Sequence, residues 1–260
     1  MGILNVTPDS FSDGGVHFDR AKAIDAAMRM KADGAAIVDV GGESTRPGAE
    51  PVTAAEEIER VIPVIEEIRR RSDVAISVDT MKADVAEAAL DAGADIINDV
   101  NALRGEAMRA VAARRGVPVV LMHMRGEPRT MQQNIHYDDV VSDVGRELTA
   151  FRDAAIAAGV DASQLAVDPG IGFGKTFDHN LELLARASEL TRIAPVVIGA
   201  SRKAFIGHLT GQPGGAARMT GSLAAVAAAY DGGAAMVRVH DVRETVDFLE
   251  VLTAIRGKRA

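Results

Sequence analysis

The chain of 260 residues has no cysteine and no tryptophan, and only 3% of it is aromatic. Without a thiol there can be no disulfide, zinc ribbon or cysteine nucleophile, and the absence suits a cytoplasmic setting. So few flat rings leave no stacking platform for single-stranded nucleic acid. A net charge of −8 likewise gives no basic face of the kind that displaces counterions from a polynucleotide, although a local basic cluster can still hold a small anion. No apolar run reaches membrane-spanning length, and the start of the chain has neither a basic segment nor a cleavage pattern. The expectation is a soluble protein with no membrane or nucleic-acid partner. What is present is a hydrophobic content of 47%, enough for one large core, and nothing resembling a linker. Residues 1–260 therefore read as a single domain.

The most informative stretch is Leu165-Ala-Val-Asp-Pro-Gly-Ile-Gly-Phe-Gly-Lys175. A short apolar run ends in Asp168, and Pro169-Gly170 turns the chain at once, so the carboxylate belongs at a strand mouth. Gly170, Gly172 and Gly174 let the backbone approach a ligand or take positive φ, and Lys175 offers a positive charge beyond them.

The same order of apolar run then polar group recurs. Met1–Val6 is a strand with Asn5 at its mouth, followed by the turn cluster Thr7 to Gly15. Asp19 is expected to cap a helix with Ile24, Ala27 and Met28 on one face, ended by Gly34. Ala36–Val40 leads to the loop Gly41 to Gly48. Thr53 with Glu56 forms a capping box for a helix striped by Ile58, Val61, Ile62, Ile65 and Ile68, with Pro63 expected to kink it. Further strands end at Asp79, Asn98, His123, Asp168, Ser201 and His240, and helices are expected over Leu181–Leu190, Ser222–Tyr230 and around Val246 to Ile255. Gly34 precedes Asp39, Gly93 precedes Asn98, and Gly233 precedes Arg238 by one constant interval.

Eight strands each followed by a helix predict an α/β fold, a single (β/α)8 TIM barrel with its active site at the C-terminal ends of the strands. A doubly wound open sheet would want a GxGxxG turn after the first strand, which is absent. In the barrel, Asn5, Asp39, Asp79, Asn98, His123, Asp168, Ser201, Lys203, Arg238 and His240 ring one mouth. Asp79, Asn98 and Asp168 suit a flat heterocycle with adjacent N–H donors, whereas Arg46, Arg238, His240, Arg202 and Lys203 suit a phosphate-bearing leaving group. Oxygen ligands without cysteine fit a loosely held Mg²⁺ rather than a transition metal. Asp39 reads equally as orienting a neighbouring loop or as meeting a ligand and is left out of the site, and Asp99 reads as structural. His123 reads equally as a hydrogen-bonding residue at the barrel top. His17, His136, His179 and His208 read as surface residues, and Arg69-Arg70-Arg71 and Arg114-Arg115 as solvated helix ends.

Eight segments carry a resemblance: Ile3 to Gly15, Gly41 to Gly48, Ser77-Val-Asp-Thr80, Ile96-Ile-Asn-Asp99, Leu121-Met-His-Met124, Asp168 to Lys175, Ser201-Arg-Lys203 and Arg238-Val-His-Asp241. In order and at the eight predicted mouths, they resemble bacterial dihydropteroate synthases. The resemblance implies condensation of 6-hydroxymethyl-7,8-dihydropterin pyrophosphate with para-aminobenzoate in folate biosynthesis. It also implies a cytoplasmic homodimer that uses Mg²⁺ and is a sulfonamide target. Asp79, Asn98, Asp168 and Lys203 would hold the pterin, with Met122 on its ring. Asn5, Arg238 and His240 would bind pyrophosphate, and Asn5 the Mg²⁺. Phe11, Thr45, Arg46, Pro47, Phe173 and Ser201 would build the para-aminobenzoate pocket. Catalysis would fall to Asp79, Asp168, Lys203, Arg238 and His240. The family usually has several residues ahead of the first strand, so that strand is expected to be short and frayed.

Two alternatives stand beside this reading: another pterin-binding barrel, such as a methyltetrahydrofolate-using methyltransferase, and a non-catalytic paralogue. The first has no need of Ser201-Arg-Lys203 or of Arg46 beside Thr45.

The stretches Thr7 to Gly15 and Gly42 to Pro51 are rich in Gly, Pro, Ser, Thr and Asp, and on this reading are mobile in the free protein. They carry four of the residues assigned to the para-aminobenzoate pocket. Ordering them costs about 1–2 kcal/mol per fixed residue, more than one small aromatic acid offsets. Para-aminobenzoate is therefore expected to bind measurably only with pyrophosphate and Mg²⁺ present. Calorimetric titrations with and without those two ligands check this, and equal affinities would contradict it.

Overall fold

Strands and helices alternate along the chain in the computed structural model, which describes residues 1–7, 15–45 and 49–258, with residues 15–19 as backbone only. The strands are β1 (Gly2–Asn5), β2 (Ile37–Gly41), β3 (Ala75–Asp79), β4 (Ile96–Asp99), β5 (Val119–Met122), β6 (Leu165–Asp168), β7 (Val197–Ile198) and β8 (Met236–Val237). The helices are α1 (Gly15–Ala32), α2 (Ala54–Arg71), α3 (Ala83–Asp91), α4 (Glu106–Arg115), α5 (Val140–Ala157), α6 (Phe177–Ala185), α7 (Ala204–Thr210), α8 (Met219–Asp231) and α9 (Val242–Arg256).

β1 to β6 pair in parallel in chain order, and β7 pairs in parallel with β8. Single bridges join Val167 of β6 to Val196 and Gly2 of β1 to Val239, so the ring closes. A strand order that never reverses and returns to its start is the (β/α)8 barrel and excludes the doubly wound sheet. Every residue of β2, β4 and β5 is buried, as parallel strands covered by helices require. On the outer layer, α2 turns Val61, Val64, Ile65 and Ile68 inward. Its capping box, Thr53 with Glu56, is formed as the sequence predicts. The helix continues through Pro63 without a break.

The constant glycine interval has one cause. Gly34, Gly93 and Gly233 have φ of +96°, +108° and +77°. The alanine after each donates its N–H five residues back, from Ala35 to Met30 (2.9 Å), Ala94 to Ala89 (2.9 Å) and Ala234 to Ala229 (3.0 Å). This left-handed stop delivers the chain into the next strand at a fixed offset, which puts Asp39, Asn98 and Arg238 at equivalent places.

Several expectations need correction. α1 starts at Gly15, so Asp19 lies within the helix and does not precede it. The helix expected over Leu181–Leu190 starts earlier, at Phe177, where Thr176 and His179 form a second capping box, and breaks at Arg186. β1 is held on both sides: it pairs with β2, Ile3 N–H donates to the Val239 carbonyl, and Val239 N–H donates to that of Met1. α7 is additional. Arg69 is no solvated helix end, since it donates to the Gly93 and Val74 carbonyls and to Asp95. Among the described residues, no helix is long and apolar enough to cross a membrane.

Candidate active site

Asn5, Gly41, Asp79 and Asn98 are successive register partners across β1 to β4, so the barrel aligns them in one row at its C-terminal rim. Arg238, just past β8, reaches this row from the closing side. Its Nε donates to Asp39 Oδ2 at 2.6 Å and its Nη2 to Asp79 Oδ2 at 2.6 Å. Asp39 Oδ2 also accepts from Asn98 Nδ2 at 3.1 Å. That contact uses the donor side of the Asn98 amide and leaves its oxygen to accept elsewhere. Asp39 is fully buried, and it fixes two of the site residues instead of orienting a loop. Burial pushes the Asp79 carboxyl up to about 7, against the pull of Arg238. Burial also works against the charge on Arg238, but Asp39 and Asp79 hold its pKa above the ordinary value.

Asp168 is raised by burial, while the Gly170 N–H, at 2.7 Å from Oδ1, and the nearby Lys203 favour its charged form. Gly170 has φ +70°, and a Cβ there would stand 1.9 Å from the His123 carbonyl oxygen, so this turn requires glycine. Lys203 lies over the Phe173 ring, its Nζ 4.2 Å from the centroid. Ser201 Oγ is 3.0 Å from His240 Nδ1 and accepts from the His240 N–H at 3.2 Å. Burial, with Arg202 and Arg238 nearby, lowers His240 to about 4, so it is neutral at pH 7. Arg202, read as one of the phosphate-facing cations, is instead paired with Asp241 through both carboxylate oxygens.

These groups surround a cavity of about 810 Å³ lined in part by Asn5, Thr45, Asp79, Phe173, Lys203 and Arg238. Ser201, His240 and Lys175 line it as well. Asn98, Asp168 and Met122 are buried and do not line the open cavity: Asn98 turns to Asp39, Asp168 to the Gly170 N–H, and Met122 packs with Val100, Met124 and Met131 against Phe173. Phe11, Arg46 and Pro47 lie outside the described residues. Asp99 is structural, accepting from the N–H groups of Asn101 and Leu103.

Beside the cavity, three ionisable groups are joined in a chain, with His123 and Lys175 buried and Glu147 half-buried. His123 Nε2 is 2.9 Å from Glu147 Oε2, and His123 Nδ1 is 3.1 Å from Lys175 Nζ. Burial and Lys175 lower His123 to about 4. Burial opposes the charge on Glu147 less strongly than His123 and Arg125 favour it, and its carboxyl falls to about 2. Burial lowers Lys175 to about 7. Of the other histidines, His136 is exposed, while His179 caps α6 and His208 stacks on Phe177.

A family model described as pterin binding enzyme matches residues 1–240. The chain belongs to the pterin-binding enzyme family. It is 48% identical over 255 residues to the dihydropteroate synthase of Escherichia coli, covering 98% of this chain and 90% of that relative. Among solved structures, a Xanthomonas albilineans dihydropteroate synthase with 4-aminobenzoic acid matches with a TM-score of 0.94 at 48% identity, over 98% of this chain and 92% of that one. A Yersinia pestis dihydropteroate synthase in complex with a sulfonamide drug matches with a TM-score of 0.93 at 46% identity, over 99% and 93%.

Within this pterin-binding barrel, sequence reasoning missed Asp39 as a site residue, Glu147, and the link of Lys175 to His123. The shared offset from Gly34, Gly93 and Gly233 could have flagged Asp39. His123 is harder to protonate in the folded chain than in the unfolded one, so its protonation favours unfolding. Its share of stability is fully present above about pH 6.5 and is lost as the pH falls towards 4, an effect on the order of 3 kcal/mol. Imidazole resonances of His123 followed by NMR are expected to titrate near pH 4, and a midpoint near 6.5 would contradict the buried, Lys175-facing environment.

Proposed function

We propose that this chain is a dihydropteroate synthase, condensing 6-hydroxymethyl-7,8-dihydropterin pyrophosphate with para-aminobenzoate to give 7,8-dihydropteroate and pyrophosphate. The observation that carries the reading is the joining of two unlike sets of groups at one barrel mouth: the acceptors Asp79, Asn98 and Asp168, and the donors Lys203, Arg238 and His240. Carboxylate and amide oxygens accept from the adjacent N–H groups of the pterin, and Met122 packs on its ring. The cationic side, with Asn5, takes the pyrophosphate. Thr45, Phe173 and Ser201, together with Phe11, Arg46 and Pro47, take para-aminobenzoate, the place that sulfonamides would also occupy.

No covalent nucleophile is needed. The bond from the pterin methylene to oxygen breaks, and pyrophosphate leaves with the electron pair. Asp79 and Asp168 stabilise the positive charge left on the ring, and Arg238 and Lys203 stabilise the departing anion. The amine lone pair of para-aminobenzoate then forms the new C–N bond, and the nitrogen gives up a proton to the released pyrophosphate or to water. His240, held by Ser201, donates a hydrogen bond to the leaving group as a neutral imidazole.

Among the described residues, no cluster of three His, Cys, Asp or Glu side chains could hold a metal. Asn5 lines the cavity, and its hard amide oxygen is a ligand type that fits a Mg²⁺ held mainly by substrate phosphates and water. Such an ion would neutralise charge on the leaving pyrophosphate. Residues 1–260 act as one domain in this reading, and the protein works in the cytoplasm as a homodimer.

The test is an assay of pyrophosphate release from the dihydropterin pyrophosphate, with and without para-aminobenzoate. Release that depends on para-aminobenzoate is expected, and binding without release would overturn the proposal. Asp168→Asn is expected to weaken pterin binding by about 2 kcal/mol or more, since an amide cannot accept from two adjacent ring donors in the way a carboxylate does. Unchanged affinity by calorimetry would remove Asp168 from that role.

A further inference from the structure

Lys175 faces the cavity yet is only 3% exposed, and the reaction above gives it no part. Its Nζ is surrounded by three acceptors: the Phe173 carbonyl at 2.9 Å, His123 Nδ1 at 3.1 Å and the His123 carbonyl at 3.4 Å. Burial disfavours the charge on this amine, but the three acceptors favour it: the ammonium form has three N–H groups and no lone pair and satisfies all of them, which the neutral amine cannot do. For Nδ1 to accept, the imidazole proton must sit on Nε2, and Glu147 at 2.9 Å holds it there. The tie joins two strand mouths. The His123 N–H donates to the Asp168 carbonyl at 2.8 Å, and Gly170, which accommodates no Cβ, presses on the His123 carbonyl. On the loop after β6, Gly172 N–H is held by Asn180 at 2.6 Å and the Gly174 carbonyl by Tyr137 at 3.0 Å. Between them, Phe173 is held through its carbonyl by Lys175.

We propose that Lys175 is a positioning residue for the reaction: kept in place by the His123–Glu147 pair, its ammonium ties the ends of β5 and β6 together and sets where the Asp168 carboxylate and the Phe173 ring stand. It acts through those two groups and does not touch the reacting atoms. The inference rests on the dihydropteroate synthase reading for its substrate, and pterin binding is therefore measured separately from turnover. Calorimetry with 6-hydroxymethyl-7,8-dihydropterin pyrophosphate alone, and steady-state pyrophosphate release, are compared for wild type, Lys175→Met, His123→Leu and His123→Asn. Lys175→Met and His123→Leu are expected to bind the pterin at least tenfold more weakly and to lose at least tenfold in kcat. In His123→Asn the amide oxygen takes the place of Nδ1, and both quantities are expected to return to within threefold of wild type. A merely structural histidine would not separate Leu from Asn in this way. Wild-type affinity in Lys175→Met overturns the inference, as does equal damage in the two His123 variants. If Lys175→Met does not fold, the His123 pair decides alone. Failure of the wild type to release pyrophosphate would sink the reaction assigned to the barrel, while the binding comparison would still decide the role of Lys175.

Discussion

The Arg238 guanidinium stands between two carboxyl groups, at 2.6 Å from the buried Asp39 and 2.6 Å from the cavity-lining Asp79, and the order of the mouth follows from that placement. It connects the end of the chain to β2 and β3, next to the bridge that closes the barrel at Gly2 and Val239. A planar fork with fixed donor directions can bind two acids at once and still present an edge to a ligand, which a lysine cannot do. Through Asp39, the same contact sets the rotamer of Asn98. One cation thus determines the positions of three oxygen-bearing groups.

Arg238, Asp39 and Asp79 bring one guanidinium and two carboxyl groups together at the floor of the cavity. Desolvation of so many charges is costly, and a buried ion pair is poor evidence of stability. What such a network supplies is preorganisation: dipoles and charges aimed before the substrate arrives, in surroundings where water does not screen them. Asp168 and Lys175 extend the arrangement along the rim at β6, and Lys175 links through His123 to Glu147.

Much of this could be read from the residues. The alternation of apolar run, polar group and helix is a consequence of parallel pairing, and the glycine offset from Gly34, Gly93 and Gly233 is a chemical requirement of the left-handed stop. Both survive in the sequence because each is local. Asp39 was left out of the site because its partner Arg238 is 199 residues away, and no local pattern states which of two nearby acids an arginine will take. Lys175 was seen as a charge but not as a tie, since two of its three acceptors are main-chain carbonyls, which leave no mark in sequence. Arg69 looked like a solvated helix end for the same reason. The start of α1 was misplaced because Asp19 is a good cap by residue type, while the helix begins at Gly15. That Asn98, Asp168 and Met122 do not line the open cavity depends on rotamers fixed by tertiary partners.

Asp39 contributes to the site by fixing Arg238. A double-mutant cycle on pyrophosphate affinity, with Asp39→Asn, Arg238→Ala and the pair measured by calorimetry, tests it most directly. The account predicts that each single change weakens binding and that, once Arg238 is gone, replacing Asp39 costs nothing more. Additive losses would show the two residues acting independently and would contradict it.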